Sequence, residues 1–228
     1  MFVYVLVILI ILYIFFLYFL NCKEHFSRKL TFSSQASWGE VERSFLHKLT
    51  PDGKRHVKSF PMRPFPPNDS METHFELEEV KKKRNNLSNE RQKEIDNELY
   101  LHGILDLYSV TKEERSKIVT IIRNEIDPVI MYMKHKYNRA RPYHLDPSII
   151  PSISPPKHPS YPSGHSTQSF YIAYQLSKMR PDKHNEYMEI ANSIAENREY
   201  AGVHYKSDSD YGKILGKYLS DNISIVHF

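Results

Sequence analysis

Three short groups of residues in the C-terminal half of this 228-residue chain could do chemistry together. The first is Lys134 followed by Arg141-Pro142. The second is Pro162-Ser163-Gly164-His165. The third sets out Arg198, His204 and Asp208 in that order. Together they supply fixed cations, imidazoles, a carboxylate and a small-residue turn. A guanidinium fork makes paired hydrogen bonds to phosphate oxygens, and a lysine adds a compact point charge. An imidazole nitrogen attacks phosphorus only when its proton sits on the other ring nitrogen. A carboxylate that accepts that N–H fixes the tautomer and supports positive charge on the ring. The set is equipped to grip a phosphoryl group and move it onto a histidine.

A Pro-Ser-Gly turn opening a helix near His165 leaves backbone N–H groups without intrahelical partners. Those groups and the helix dipole favour an anion. Gly164 lets the backbone approach a ligand with no Cβ between them. Ser163 also reads as a plain N-cap, and capping and anion binding use the same geometry. Asp208 lies four residues after His204. If the two share a helical turn, that spacing puts them on one face.

In order and spacing, these groups resemble the signature of the type 2 phosphatidic acid phosphatase superfamily. That superfamily also holds bacterial class A acid phosphatases and vanadium-dependent haloperoxidases. Its pattern reads K-x-x-x-x-x-x-R-P, then P-S-G-H, then S-R-x-x-x-x-x-H-x-x-x-D. Asn197 stands where the pattern has Ser, a position that does no chemistry in the family. The resemblance spans residues 100–215 of this sequence. It implies that Lys134, Arg141, Ser163, Gly164 and Arg198 hold the phosphate. It implies that His204 becomes phosphorylated, that Asp208 orients it, and that His165 serves as general acid and then as general base for water.

No cofactor is expected. His102, His135, His144, His158 and His184 match no metal spacing such as H-E-x-x-H, and cationic side chains do the charge work a metal would do. His158 stands close to the second group and could line the pocket.

The elements that position these residues can be read from pattern. From Thr73 onward the periodicity predicts helices near 74–85, 88–108, 112–137, 165–179, 183–203 and 207–222. Ile118, Ile121, Ile122, Ile126, Val129, Ile130 and Met133 follow the 3–4 spacing of a buried face. Pro128 kinks or restarts that helix. Residues 139–162 are rich in proline and read as a loop joining Arg141 to Ser163. No strand is expected. The fold class is all-α, a helical bundle with the site between facing helices.

Residues 2–20 are apolar and uncharged, enough to cross a hydrocarbon core of about 30 Å. No basic region precedes them and no small-residue cleavage site follows, so the stretch reads as a retained anchor. The expected organisation is a transmembrane anchor over 1–21, a Pro/Ser-rich linker or wrapping arm over 22–72, and a helical phosphatase domain over 73–228. Trp38, Phe45, Phe60 and Phe65 suggest that the arm packs on the body. Lys23, Arg28 and Lys29 favour a cytoplasmic body by the positive-inside rule. The resemblance implies the opposite side, so orientation stays open.

A formal net charge of +4 with dispersed basic residues gives no nucleic-acid footprint. Cys22 is the only cysteine, so no intrachain disulfide forms. The expected partners are a phosphorylated small molecule or lipid as substrate and a membrane through residues 2–20. The leading reading is a membrane-anchored phosphatase cleaving monoesters through phosphohistidine. The alternatives are a lipid phosphatase, a vanadate-dependent haloperoxidase and a non-catalytic phosphate-binding membrane protein.

Overall fold

Several helices in this chain begin where a Ser or Thr caps them. In the computed structural model, which describes residues 9–17, 30–60 and 63–225, the arm forms α1 (Phe32–Gln35), α2 (Glu40–His47) and α3 (Pro51–Ser59). The body forms α4 (Met71–Asn85), α5 (Asn89–Asn97), α6 (Leu101–Leu107), α7 (Lys112–Ile121) and α8 (Asp127–Tyr137). After α9 (Pro142–Leu145) come α10 (Gly164–Met179), α11 (His184–Tyr200) and α12 (Lys206–Asn222). Thr50, Ser70 and Ser88 each accept a backbone N–H at the starts of α3, α4 and α5. Thr111 and Glu114 form a reciprocal capping box on α7. No strand occurs among the described residues, only an isolated bridge between Thr31 and Arg139. The all-α expectation holds.

Two expected helices differ in ways that matter. The stretch 88–108 is two helices, because the chain breaks after α5 and turns Glu98 inward, where it is buried. The stretch 112–137 is continuous, but Ile122–Ile126 widens into a π-turn between α7 and α8. Pro128 lacks an N–H and its ring crowds the carbonyl four residues back, so a wider turn just before it relieves both problems. Asn138, in the left-handed region at φ 49°, ends α8. The proline-rich loop contains one short helix, α9.

α10 is the central helix. Phe170, Tyr171, Ile172, Ala173 and Leu176 are all buried, so it meets protein on every side. α11 and α12 pack against it. Gly212 makes the second contact close: a Cβ there would stand 2.8 Å from Ser166 Cβ and 2.9 Å from the Ser163 carbonyl. This approach brings the start of α12 against the start of α10, and the Ser163 N–H donates to the Asp208 carbonyl at 3.0 Å. The second and third sequence groups are thereby joined.

Part of the 30–60 stretch is buried. Phe32, Val57 and Phe60 are buried, and Trp38 lies edge-on to Phe32 and beside His135. Residues 9–17, within the expected anchor, are helical with their apolar side chains exposed. The rest of the 1–21 segment lies outside the described residues, as does Cys22. Among the described residues, no helix is long and apolar enough to cross a membrane.

Candidate active site

His204 precedes α12 instead of sharing a helical turn with Asp208. Asp208 sits in the first turn of α12, where its carboxylate accepts the Tyr205 N–H at 3.1 Å. The same oxygen lies 3.0 Å from His204 Nδ1. The proximity inferred from the spacing is present, but it arises from a helix cap and not from a helix face. Ser160 also donates its hydroxyl to this carboxylate. His204 Nδ1–H is therefore the donor to Asp208, and Nε2 keeps its lone pair.

The electrostatics support that tautomer. Burial pushes the His204 imidazole down to about 3, against the upward pull of Asp208 and with help from Arg141 and Lys134. Burial works against ionisation of Asp208. The charge of Arg139 and the bonds from His204 and Ser160 outweigh it and hold the carboxyl below its usual range. The pair is thus a neutral imidazole on a carboxylate.

His204 opens onto a cavity of about 640 Å³ that Arg141, His158, Gly164, His165 and Arg198 also line. The cations differ in how their donors are used. Arg198 gives Nη2 to Glu98 at 3.0 Å, while its buried Nε and Nη1 have no protein partner. Buried unsatisfied N–H groups are costly, and a guanidinium edge left open in a cavity suits an oxyanion. Arg141 spends donors on the carbonyls of His158 and Val203 at 3.0 and 2.6 Å. Lys134 donates to the carbonyls of Pro159, Ser160 and Pro162. Lys134 and Arg141 therefore also brace the loop that leads into Ser163. Lys134 remains close to the site, with its Cε 3.9 Å from where a Gly164 Cβ would be.

Ser163 caps α10 by accepting the Ser166 N–H, and its side chain is buried. At this N-terminus the first amides have no intrahelical carbonyl. His165 Nε2 lies 3.1 and 3.3 Å from the carbonyls of Glu98 and Leu99. It must donate there, which leaves Nδ1 for proton transfer. Burial, Arg198 and His204 hold His165 well below its ordinary value. A phosphate dianion beside it would favour the imidazolium that a general acid needs.

Several neighbours carry no signal in the three groups. His158 does line the cavity, with Nδ1 3.1 Å from Arg141 Nη2. Glu98 pairs with Arg198, and Asn197 donates to both Glu98 oxygens at 3.1 Å while accepting from Arg91 at 2.8 Å. The Asn197 departure thus serves the carboxylate behind Arg198. Arg139, fully buried, donates to Asp208 at 2.7 Å. It occupies a position that the first group leaves unspecified. Asp127, pushed up to about 6 by burial, also lines the cavity and accepts from Gln168 at 2.7 Å. Among the described residues, no group of three or more His, Cys, Asp or Glu side chains is placed to hold a metal ion.

Comparison with known proteins gives a consistent picture. Residues 118–220 match the PAP2 superfamily. The chain is 26% identical over 118 residues to a non-specific acid phosphatase of Providencia stuartii, covering 47% of each protein. It is 37% identical over 57 residues to a non-specific acid phosphatase of Salmonella typhi, covering 25% of this chain and 23% of that one. The chain spans about half the length of these curated relatives, or less. Among solved structures it is similar to a bacterial vanadium-dependent iodoperoxidase, with TM-score 0.54, 19% identity and coverage of 73% of this chain and 53% of that chain. It is also similar to a transmembrane PAP2-type phosphatidylglycerolphosphate phosphatase from Bacillus subtilis. That match has TM-score 0.51, 16% identity and coverage of 82% of this chain and 94% of that chain. These structural likenesses establish the fold.

Proposed function

Since residues 118–220 match the PAP2 superfamily, we propose that this protein is a phosphatase that cleaves phosphate monoesters through a phosphohistidine on His204. The observation that carries the reading is the His204–Asp208 contact of 3.0 Å, which leaves Nε2 free in a cavity that also holds the unpartnered Nε and Nη1 of Arg198. In the proposed first step, His204 Nε2 attacks phosphorus and the ester P–O bond breaks. His165 gives its proton to the departing oxygen. Asp208 accepts the Nδ1–H throughout and stabilises the positive ring. Arg198 and Arg141, with the first amide of α10 at Gly164 and the charge of Lys134, hold the phosphoryl oxygens. In the second step His165 takes a proton from water, the water oxygen attacks phosphorus and the P–N bond breaks. Phosphate leaves and His204 is restored.

A lipid phosphate is the second reading. Leu99, Leu101, Ile130 and Met131 give the cavity an apolar wall, which suits an acyl-bearing leaving group. An anchor over residues 1–21 would hold the site beside a bilayer.

Replacing the nucleophile tests the leading reading. His204→Ala is expected to fold and to lose about 10³-fold or more in kcat on a soluble phosphomonoester, because a covalent route is removed. A folded variant retaining more than about a tenth of the activity, a loss under ~1.4 kcal/mol of barrier, contradicts it.

A further inference from the structure

We propose that Arg139 is a positioning residue for the His204–Asp208 pair, and that Glu76, from outside the segment shared with the PAP2 superfamily, holds Arg139 in place. The inference rests on the phosphatase reading and adds two residues to it.

The geometry is a chain of contacts, buried at Asp208 and part-buried at Glu76. His204 Nδ1 meets Asp208 Oδ2 at 3.0 Å, and Arg139 Nη1 meets the other oxygen, Oδ1, at 2.7 Å. Arg139 Nη2 continues to Glu76 Oε2 at 3.1 Å. Glu76 also accepts from the Ser207 hydroxyl at 2.9 Å, next in sequence to Asp208, and Ser207 accepts from Arg139 Nη1 at 2.8 Å. The Arg139 guanidinium lies 3.8 Å over the Tyr205 ring and 4.9 Å over the Phe65 ring. These contacts come from separate segments: α4, the residue after the cap of α8, and the start of α12. Arg139 and Asp208 have fully buried side chains. A buried charge pair in such a position costs desolvation, so simple stability is a poor reason to keep it. Fixing one carboxylate oxygen from behind aims the other at His204, which is what orienting a nucleophilic imidazole demands.

Arg139 also governs the charge of Asp208. The other titratable groups facing that carboxylate are Lys134 from α8, Arg141, Tyr161, His204 and Tyr205. Arg139 is the strongest of the influences that lower it, against burial, which raises it. Glu76 touches Arg139 and not Asp208, so it keeps the fork aligned. Without the Arg139 charge, burial acts on Asp208 with less opposition, and the carboxylate takes up a proton at higher pH.

The test uses the full chain with Arg139→Met and Arg139→Lys. Rates on p-nitrophenyl phosphate are measured against pH, and folding is followed by circular dichroism. Arg139→Met is expected to lower kcat about tenfold or more with KM changed less than about threefold. Its acid limb of kcat/KM should move up by about one pH unit or more. Arg139→Lys should restore the limb toward wild type but not the full kcat, since an ammonium keeps the charge without the fork. If Arg139→Met does not fold, Arg139→Lys decides alone by its lowered kcat at unchanged KM. Folded variants that keep the wild-type limb and kcat overturn the inference. So does an equal loss in both variants at every pH, which a merely structural arginine would give. Nitrogen-15 histidine NMR reads the same pair without turnover. The His204 Nδ1–H signal should survive to lower pH in the wild type than in Arg139→Met. If the wild type cleaves no ester but the signal shifts so, the phosphatase reading fails and the positioning role stands. If the wild type turns over and neither limb nor signal moves, the positioning role fails.

Discussion

An imidazole pushed down to about 3 is neutral across the mildly acid range, and it keeps a lone pair on Nε2 there. That single property makes His204 usable as a nucleophile where an ordinary histidine would carry a second proton. The residues proposed to touch the reacting atoms were legible because their types and spacing are chemical requirements. Arg139, Glu76 and Glu98 were not. They act by contact across the fold, and Glu98 meets Arg198 only because the chain breaks after α5. Gly164 gives a sharp test at this scale. A Cβ there would find Ile130 at 3.8 Å and Lys134 at 3.9 Å, both ordinary contacts. The fold therefore does not require glycine, whereas close approach of an anion does. Gly164→Ala is expected to keep its melting temperature within a few degrees, while vanadate inhibition weakens by about tenfold, or ~1.4 kcal/mol. Unchanged vanadate inhibition would show that no anion sits against this turn.

At the scale of elements, periodicity gave the helices and their faces, since an amphipathic stripe of 3–4 spacing must be buried. The π-turn and the α5–α6 break did not follow from periodicity. Pro128 signalled some disturbance, but its form depends on packing. The close approach of α12 to α10 was also invisible, because a glycine in a helix does not announce which neighbour it lets in. Gly212 faces Ser166 at a distance that no Cβ tolerates. Gly212→Ala should therefore push the start of α12 off the start of α10 and separate Asp208 from the Ser163 turn. The expected cost is about 1–3 kcal/mol of stability, with activity falling more than the folded fraction does. Urea unfolding and a rate measured on the folded enzyme check this together. A variant as stable and as active as wild type would mean that the two helices have slack here.

For the whole molecule, the segment that matches the PAP2 superfamily does not complete the proposed site by itself. Glu76 and Glu98 lie before residue 118 yet back Arg139 and Arg198. Within the 22–72 stretch read as an arm, Phe32 and Phe60 are buried. The anchor proposed for residues 1–21 rests on hydropathy, and only residues 9–17 of it are described. A spanning helix resists extraction by carbonate, so the full chain should stay with the membrane pellet. Release into the supernatant would remove the anchor from the account. The central claim is the covalent intermediate, and trapping it is the most direct measurement. The enzyme would be mixed with a radiolabelled phosphomonoester, quenched in alkali, digested and mapped. The account predicts phosphate that is stable to base, labile to acid and located on the peptide containing His204, with none in His204→Ala. Full turnover with no label on His204, or label on another residue, would contradict it.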